Sequence, residues 1–454
     1  MEKISRFTHT FDLGGHVALW HSLRMQPVFL NKAVYEQFQQ GEYSDALRDE
    51  LVRKKILTAK EGEDEEDLAR IRGNAPEPDV RLGYFILSEN CNLACKYCFV
   101  GSDACGSGNS YTKNMTKGVA EKAIDVFARQ LELSSTNYEE EQSDIIFFGG
   151  EPLLQFDVLV HVVERVRELV RKRPILAHTQ FAVITNGTLL DERRILKLHD
   201  LGVAVSISID GFTEEANEMR VDKAGRPAYA RVIEVLEMYA KLDVPAPSLS
   251  VTLSEKTIDD LPHMIELVRK YRVRGFGYNV LLSKGDEEKS DSYYRKASQF
   301  IIDSFVALRG DGVYEDRIMR KLNAFASARI HFSDCGATSG GQILFAPDGR
   351  IGICQGLMAE GENYVADIWD EAFDANRHPF WRKWASLVPL NEESCLDCVA
   401  LGICGGGCPV NARAANPGKG LHCIDRRSCI HAKKTLEFLI NDLYEIAIRK
   451  ESVR

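Results

Sequence analysis

The chain reads as an α/β protein built on a parallel barrel or part of one, and three observations carry that reading. Between about residue 80 and residue 310, short apolar runs of strand length alternate with amphipathic stretches of helical spacing. A C-x-x-x-C-x-x-C run, Cys91, Cys95 and Cys98, comes directly after the first of those runs, Leu82–Leu87. Beyond about 310 the pattern changes: eight of the twelve Cys lie between Cys335 and Cys429, with Gly-rich turns between them.

The first 60 or so residues form a small α/β unit by the same criteria. Phe7–Leu13, Val17–Leu19 and Val28–Leu30 are predicted strands, while Lys32–Gln39 and Ser44–Lys55 have helical spacing. The acidic stretch Glu61–Asp67, continuing into Gly73-Asn-Ala-Pro-Glu-Pro78, is predicted to be an exposed connector. The barrel strands are then Leu82–Leu87, Ile145–Phe148, Thr179–Ile184, Val203–Ile209, Ser248–Val251 and Gly277–Leu281. Lys117–Leu133, Phe156–Arg171 and Tyr229–Leu242 are amphipathic helices between them. Alternating β and α implies parallel strands joined by right-handed crossovers, which curl into a barrel or part of one. Chemistry in such sheets gathers at the carboxyl ends of the strands, where the Cys triplet falls. The Cys-dense region has few long apolar runs and is expected to be organised by metal. An amphipathic helix, about Ile430–Arg449, closes the chain.

Composition excludes several classes. A net charge of −10, from 57 basic and 67 acidic residues with no basic tract, argues against nucleic acid as the main partner. No apolar run approaches the roughly 18 residues that cross a bilayer, and Met1–Gly15 lacks the apolar core of a secretory signal. Twelve Cys in 454 residues are too sparse for a disulfide scaffold and cluster in metal-ligand spacings, so a reducing, anaerobic cytoplasm is expected.

Three closely spaced thiolates can hold three corners of an iron–sulfur cube, which leaves the fourth iron without a protein ligand. An open iron beside a reducing cluster can bind a small molecule and deliver an electron to it. Twelve Cys scattered at random through the chain would give roughly 0.008 such triplets, so accident is a poor explanation. A zinc site would need a fourth ligand nearby. Cys105, in the Gly/Ser loop Gly101–Ser110, is the candidate for it, without motif spacing.

Taken together with a second motif downstream, the triplet resembles that of the radical S-adenosylmethionine (SAM) superfamily. The second motif is Gly149-Gly150-Glu151-Pro152, directly after the strand Ile145–Phe148. In that family the segment holds the ammonium of the methionine moiety, and a Gly-Gly pair allows close backbone approach. By the same resemblance Ser208, in Ser206-Ile-Ser-Ile-Asp210-Gly211, contacts the ribose. Arg220 matches the arginine that pairs with the methionine carboxylate, a task suited to a guanidinium fork; a solvated helix residue is the competing reading. Thr185-Asn186-Gly187-Thr188 ends the third strand and lines the same mouth or forms a plain turn. The cofactor-binding residues implied by the resemblance are Tyr97, Gly149, Gly150, Glu151, Pro152, Asn186, Ser208, Asp210 and Arg220. No catalytic base stands out among Asp210, Tyr278 and Asn279.

The C-terminal region resembles the SPASM domain, which carries two auxiliary four-iron clusters. Thirteen residues separate Cys335 from Gly349, and four more separate Gly349 from Cys354; then come Cys395-x2-Cys398-x5-Cys404-x3-Cys408, Cys423 and Cys429. The resemblance assigns Cys335, Cys354 and Cys408 to the first auxiliary cluster and Cys395, Cys398 and Cys404 to the second. Cys429 is the preferred fourth ligand of the second, with Cys423 its competitor; Cys423 otherwise completes the first cluster or is a spare thiol. A zinc site at Cys395, Cys398, Cys404 and Cys408 stays open as an alternative. The N-terminal unit resembles the winged-helix-like leader-peptide recognition domain of enzymes that mature ribosomally made peptides, and an ordinary stabilising appendage is the alternative. There a leader adds as a strand to a sheet edge. The expected organisation is a recognition-like domain and acidic linker over 1–75, a partial (β/α)6 TIM-like barrel over 76–310, a bridge over 311–334 and a SPASM domain with closing helix over 335–454.

The resemblance implies an enzyme using [4Fe-4S] clusters and SAM, fed by an external electron donor such as flavodoxin or ferredoxin. It would generate a 5′-deoxyadenosyl radical, abstract hydrogen from a residue of a precursor peptide, and install a thioether or carbon–carbon cross-link. A sulfatase-type maturase forming formylglycine is the second reading, and a non-catalytic iron–sulfur electron carrier the third.

Overall fold

The computed structural model describes residues 2–98, 113–134, 142–283 and 286–452. Cys105 and its Gly/Ser loop lie outside the described residues. Near the N-terminus, β1 (Lys3–Ile4) pairs with β5 (Leu57–Thr58), and β2 (Thr8–Asp12), β3 (His16–His21) and β4 (Val28–Asn31) form an antiparallel three-stranded sheet. Helices α1 (Lys32–Gln39) and α2 (Asp45–Arg53) come next, each started by a side-chain cap, Asn31 and Ser44. Leu19 of β3 and Val28 and Leu30 of β4 meet Phe38, Leu51 and Ile56 in a small core of their own.

The expected acidic connector is instead a helix, α3 (Glu63–Gly73). Glu63, Asp64, Glu65 and Glu66 occupy its first turn and Arg70 and Arg72 its last, which complements the helix dipole at both ends. Leu68 and Ile71 are buried, Asp64 accepts from the Ser5 hydroxyl at 2.7 Å, and Asp67 pairs with Arg24. The acidic run is therefore a paired, packed surface.

Six parallel strands make the barrel in sequence order: β6 (Leu82–Ser88), β7 (Ser143–Gly149), β8 (Thr179–Thr185), β9 (Val203–Ile209), β10 (Ser248–Leu253) and β11 (Gly275–Val280). Helices α4 (Lys117–Glu132), α5 (Phe156–Leu169), α6 (Glu192–Asp200), α7 (Tyr229–Leu242), α8 (Leu261–Lys270) and α9 (Glu287–Leu308) lie between and after them. Phe85, Phe147, Val183, Ile207 and Val251 bury one face of the sheet in the main core shared with these helices.

The sheet does not stop at the barrel. Strand β12 (Tyr314–Glu315) extends it beyond β11, and helix α10 (Asp316–Ser327) begins at once. On the other edge β13 (Gln342–Phe345) pairs parallel with β6, and β14 (Arg350–Gly352) and β15 (Tyr364–Asp367) continue antiparallel, giving ten strands among the described residues. The C-terminal region is thus hydrogen-bonded to the first barrel strand. Short helices α11 (Pro379–Ala385), α12 (Leu401–Cys404) and α13 (Pro409–Ala415) precede the closing helix α14 (Arg426–Ser452). Trp20 of β3 stacks on Phe325 of α10 at 5.4 Å and donates its indole N–H to the Val399 carbonyl at 2.8 Å. Ala18, Trp20, Phe325, Ile403 and Leu436 share one buried cluster, so the N-terminal unit rests on the Cys-rich region.

Candidate active site at the barrel rim

Cys91, Cys95 and Cys98 sit half-buried on the loop that leaves β6. The loop is held from across the rim: Ala94 N–H donates to the Val221 carbonyl at 2.7 Å and Lys96 N–H to the Met219 carbonyl at 3.0 Å. Two donors approach the Cys91 sulfur, the Leu93 backbone N–H at 3.4 Å and the Asn186 side-chain amide at 3.7 Å. Asn186 is positioned in turn by Asn92 and Thr188, so the turn after β8 serves the thiol loop. Burial pushes the Cys95 thiol up to about 11, with nearby Arg220 pulling the other way.

The two glycines after β7 are required by contact. Gly149 has φ +140°, and a Cβ there would stand 2.2 Å from the Ser88 carbonyl oxygen; at Gly150 it would stand 2.4 Å from that of Asn90. Gly150 and Glu151 donate backbone N–H groups to those same carbonyls at 2.8 Å each. The buried Glu151 carboxylate accepts from Leu153 N–H, the Thr185 hydroxyl and Asn186 N–H at 2.7–2.9 Å. Burial raises its pKa and these donors oppose the rise. Glu151 therefore braces the ends of β7 and β8 rather than facing solvent, and Pro152 starts the short turn that leads into α5.

Sequence reasoning misses a further connection. The Tyr97 hydroxyl donates to Asp210 Oδ1, and Arg220 Nη1 donates to the Tyr97 oxygen at 2.7 Å and lies 3.2 Å from Asp210 Oδ1. Arg220 is buried, so the solvated-residue reading falls. Its desolvation is outweighed by Tyr97 and Asp210, which raise its pKa. Asp210 shifts upward on burial, with Arg220 and Tyr97 opposing. Asp210 Oδ2 is buried without a partner among the described residues. Ser208 lies partly exposed one pleat earlier on β9, paired with Ser250, which pairs with Gly277. The lumen face is thus small and polar on this side and apolar near β6, where Tyr84, Ile86 and Phe148 gather.

The C-terminal thiols fall into two groups. Cys354 has Cys408 and Cys335 as electrostatic neighbours, and Tyr84 has Cys335 and Cys354, so this group borders the lumen. Cys429 has Cys404, Cys395 and Cys398 as neighbours. The Cys423 thiol donates to the Gly420 carbonyl at 3.2 Å, and Lys419, Asp425, Glu392 and Arg413 are the charged groups that act on it most. The grouping separates Cys408 from Cys395, Cys398 and Cys404, against the four-Cys zinc alternative. Gly405, Gly406 and Gly407, with φ of 72°, 85° and 79°, turn the chain from one group to the other. Each group is a gathering of thiols and not a closed ion site: among the described residues, no three His, Cys, Asp or Glu side chains could hold a metal ion as they stand.

These features fit the family's cofactors. Soft sulfur donors suit iron–sulfur centres, the Asn186 amide points at one of them, and an unpartnered carboxylate oxygen beside a buried guanidinium awaits a polar ligand. Residues 85–268 match the model of the Radical SAM superfamily. Residues 85–268 are thus a radical SAM domain, and the protein is an enzyme that uses a [4Fe-4S] cluster and SAM.

The radical SAM cyclopropyl synthase TigE of Paramaledivibacter caminithermalis is 24% identical over 400 residues, 85% of this chain and 77% of that one. The cysteine-type anaerobic sulfatase-maturating enzyme of Clostridium perfringens is 26% identical over 344 residues, covering 71% and 86%. An uncharacterized protein of Methanocaldococcus jannaschii is 27% identical over 202 residues, 44% of this chain, which spans 63% of its length. The fold is similar to that of native anSMEcpe with bound AdoMet, at TM-score 0.64 and 21% identity, covering 81% of this chain and 99% of that one. Streptococcus suis SuiB bound to precursor peptide SuiA gives 0.51 at 14% identity, covering 94% and 100%. Among the described residues no helix is long and apolar enough to cross a membrane.

Proposed function

We propose that this enzyme installs an intramolecular thioether or carbon–carbon cross-link in a ribosomally synthesised precursor peptide. The N-terminal unit carries the reading: a three-stranded sheet whose outer strands, β2 and β4, suit the addition of a leader strand. The TigE alignment takes in 85% of the chain, against 71% for the sulfatase-maturating enzyme, and the likeness to the SuiB fold takes in 94%.

Cys91, Cys95 and Cys98 would hold the cluster, with the Asn186 amide bonding to the Cys91 sulfur. When bound, the cluster and SAM supply a 5′-deoxyadenosyl radical that removes hydrogen from an unactivated carbon. Arg220 would turn its fork from Asp210 toward the methionine carboxylate, Ser208 would meet the ribose, and Tyr97 would keep Asp210 in place. Ile86 and Phe148 would exclude water from the reacting carbon. Cys335, Cys354 and Cys408 on one side, and Cys395, Cys398, Cys404 and Cys429 on the other, would hold auxiliary clusters. An external one-electron donor such as flavodoxin or ferredoxin completes the system.

Candidate precursor and sulfatase peptides, each incubated with the reconstituted protein, SAM and reductant, test the reading. A mass loss of two hydrogens with an internal bond in the precursor supports it. An aldehyde on the sulfatase peptide supports the formylglycine reading instead, and equal affinity for leader-bearing and leaderless peptide defeats the leader-binding role.

A further inference from the structure

A buried ionic pair lies where the two C-terminal thiol groups meet, and the proposed cross-linking chemistry does not use it. Lys321 of α10 is 1% exposed. Its Nζ stands 3.4 Å from Asp334 Oδ1 and donates to the Cys404 carbonyl at 3.2 Å. Asp334 directly precedes Cys335, and its backbone N–H donates to the Gly405 carbonyl at 2.8 Å. The same carboxylate is shared with His331 Nε2 at 3.1 Å and, more distantly, with Arg317 Nη1 at 3.9 Å. From the other side α14 brings His431, two residues after Cys429, and Thr435; their polar side-chain atoms are buried and unpartnered among the described residues.

Burying an ammonium is costly, and an ion pair whose carboxylate is shared with other side chains offsets that only in part. A second source of negative charge is at hand. A four-iron cluster on four thiolates is anionic in both redox states and gains one more negative charge on reduction. A fixed cation beside it stabilises the reduced state more than the oxidised one, and a fixed anion does the reverse. Both Lys321 and Asp334 act electrostatically on Cys404, in opposite senses.

We propose that Lys321 is the buried counter-charge of a cluster held by Cys395, Cys398, Cys404 and Cys429, raising its reduction potential, and that Asp334 positions the ammonium and partly opposes it. Lys321 is a positioning and tuning residue here, not a catalytic one. The inference rests on those four thiols being cluster ligands.

The test uses the full-length, reconstituted protein: iron quantified, then a redox titration monitored by electron paramagnetic resonance. The signal is assigned as the one lost in Cys398→Ala. Lys321→Met is expected to shift its midpoint to lower potential, and Asp334→Asn to higher potential, with the signal of the rim cluster unmoved in both. Opposite shifts from two neighbouring substitutions are not the outcome of mere loosening. Full iron with unmoved midpoints, or shifts of the same sign, overturns the inference alone. If Lys321→Met loses the cluster, Asp334→Asn decides by the same sign rule. Unchanged iron in Cys398→Ala overturns the ligand assignment, and the inference with it.

Discussion

At the rim, three thiols share one short loop, half-buried, with an amide and a backbone N–H aimed at the first of them. Near the closing helix, Cys395, Cys398 and Cys404 come from one segment and Cys429 from another, with Cys404 fully within a core and a buried lysine at its carbonyl. The contrast separates two uses of one chemistry. As ligands, three donors on a loop facing a polar lumen would leave a metal corner for a small molecule, whereas four donors clamped by a helix would suit a centre that only accepts or passes electrons.

The largest effect expected from breaking this contrast is at Cys95. Cys95→Ala removes one of the three proposed ligands, and 5′-deoxyadenosine, measured by chromatography, should fall to background. Wild-type levels would remove the triplet from the active site. Next, Cys398→Ala should leave cofactor cleavage measurable while cross-linked product disappears from the mass spectrum; unchanged product yield would count against the auxiliary role. Gly150→Ala forces a methyl against the Asn90 carbonyl, where no flexible side chain can yield. It should cost about 1–3 kcal/mol in unfolding free energy. Iron analysis should show loss at the rim and retention at the C-terminal groups.

The smallest effect concerns the frame between the two regions. Glu315 caps α10, accepting from Arg317 and Ile318 N–H, and burial pushes its pKa up from the ordinary 4.5 to about 7. Between those values the folded chain keeps a proton that the unfolded chain has released, so this group's contribution to stability falls as pH rises through the window. Glu315→Gln should flatten that slope in melting temperature against pH while leaving both cluster signals in place. An unchanged slope would show that the carboxyl titrates normally.

Much of this contrast is legible in the chain itself, for definite reasons. The six barrel strands stand out because strand-length apolar runs alternate with helical spacing, and each lies within a few residues of its predicted bounds. The triplet and the glycine pair are local patterns, so spacing alone locates them. Spacing alone leaves Cys423 and Cys429 as rivals, because both come after the same Cys-rich segment; the fold adds that Cys404, Cys395 and Cys398 act on Cys429, in support of the preference for it. The helix at Glu63–Gly73 reads as a connector on net charge, although acidic residues first and basic residues last is a helix signal. The Tyr97–Asp210–Arg220 contacts and the Lys321–Asp334 pair join residues from distant elements, and no periodicity marks such pairs. The addition of β13 to β6 is hidden for the same reason, since some 250 residues and the whole barrel separate the two strands along the chain.

The most direct measurement is the paramagnetic resonance spectrum of the reduced, reconstituted protein before and after SAM is added. A free metal corner at Cys91, Cys95 and Cys98 predicts that one cluster signal changes on addition, and that this signal is absent when the three residues are replaced by Ala. A spectrum indifferent to SAM, with the rim cluster present, would contradict it.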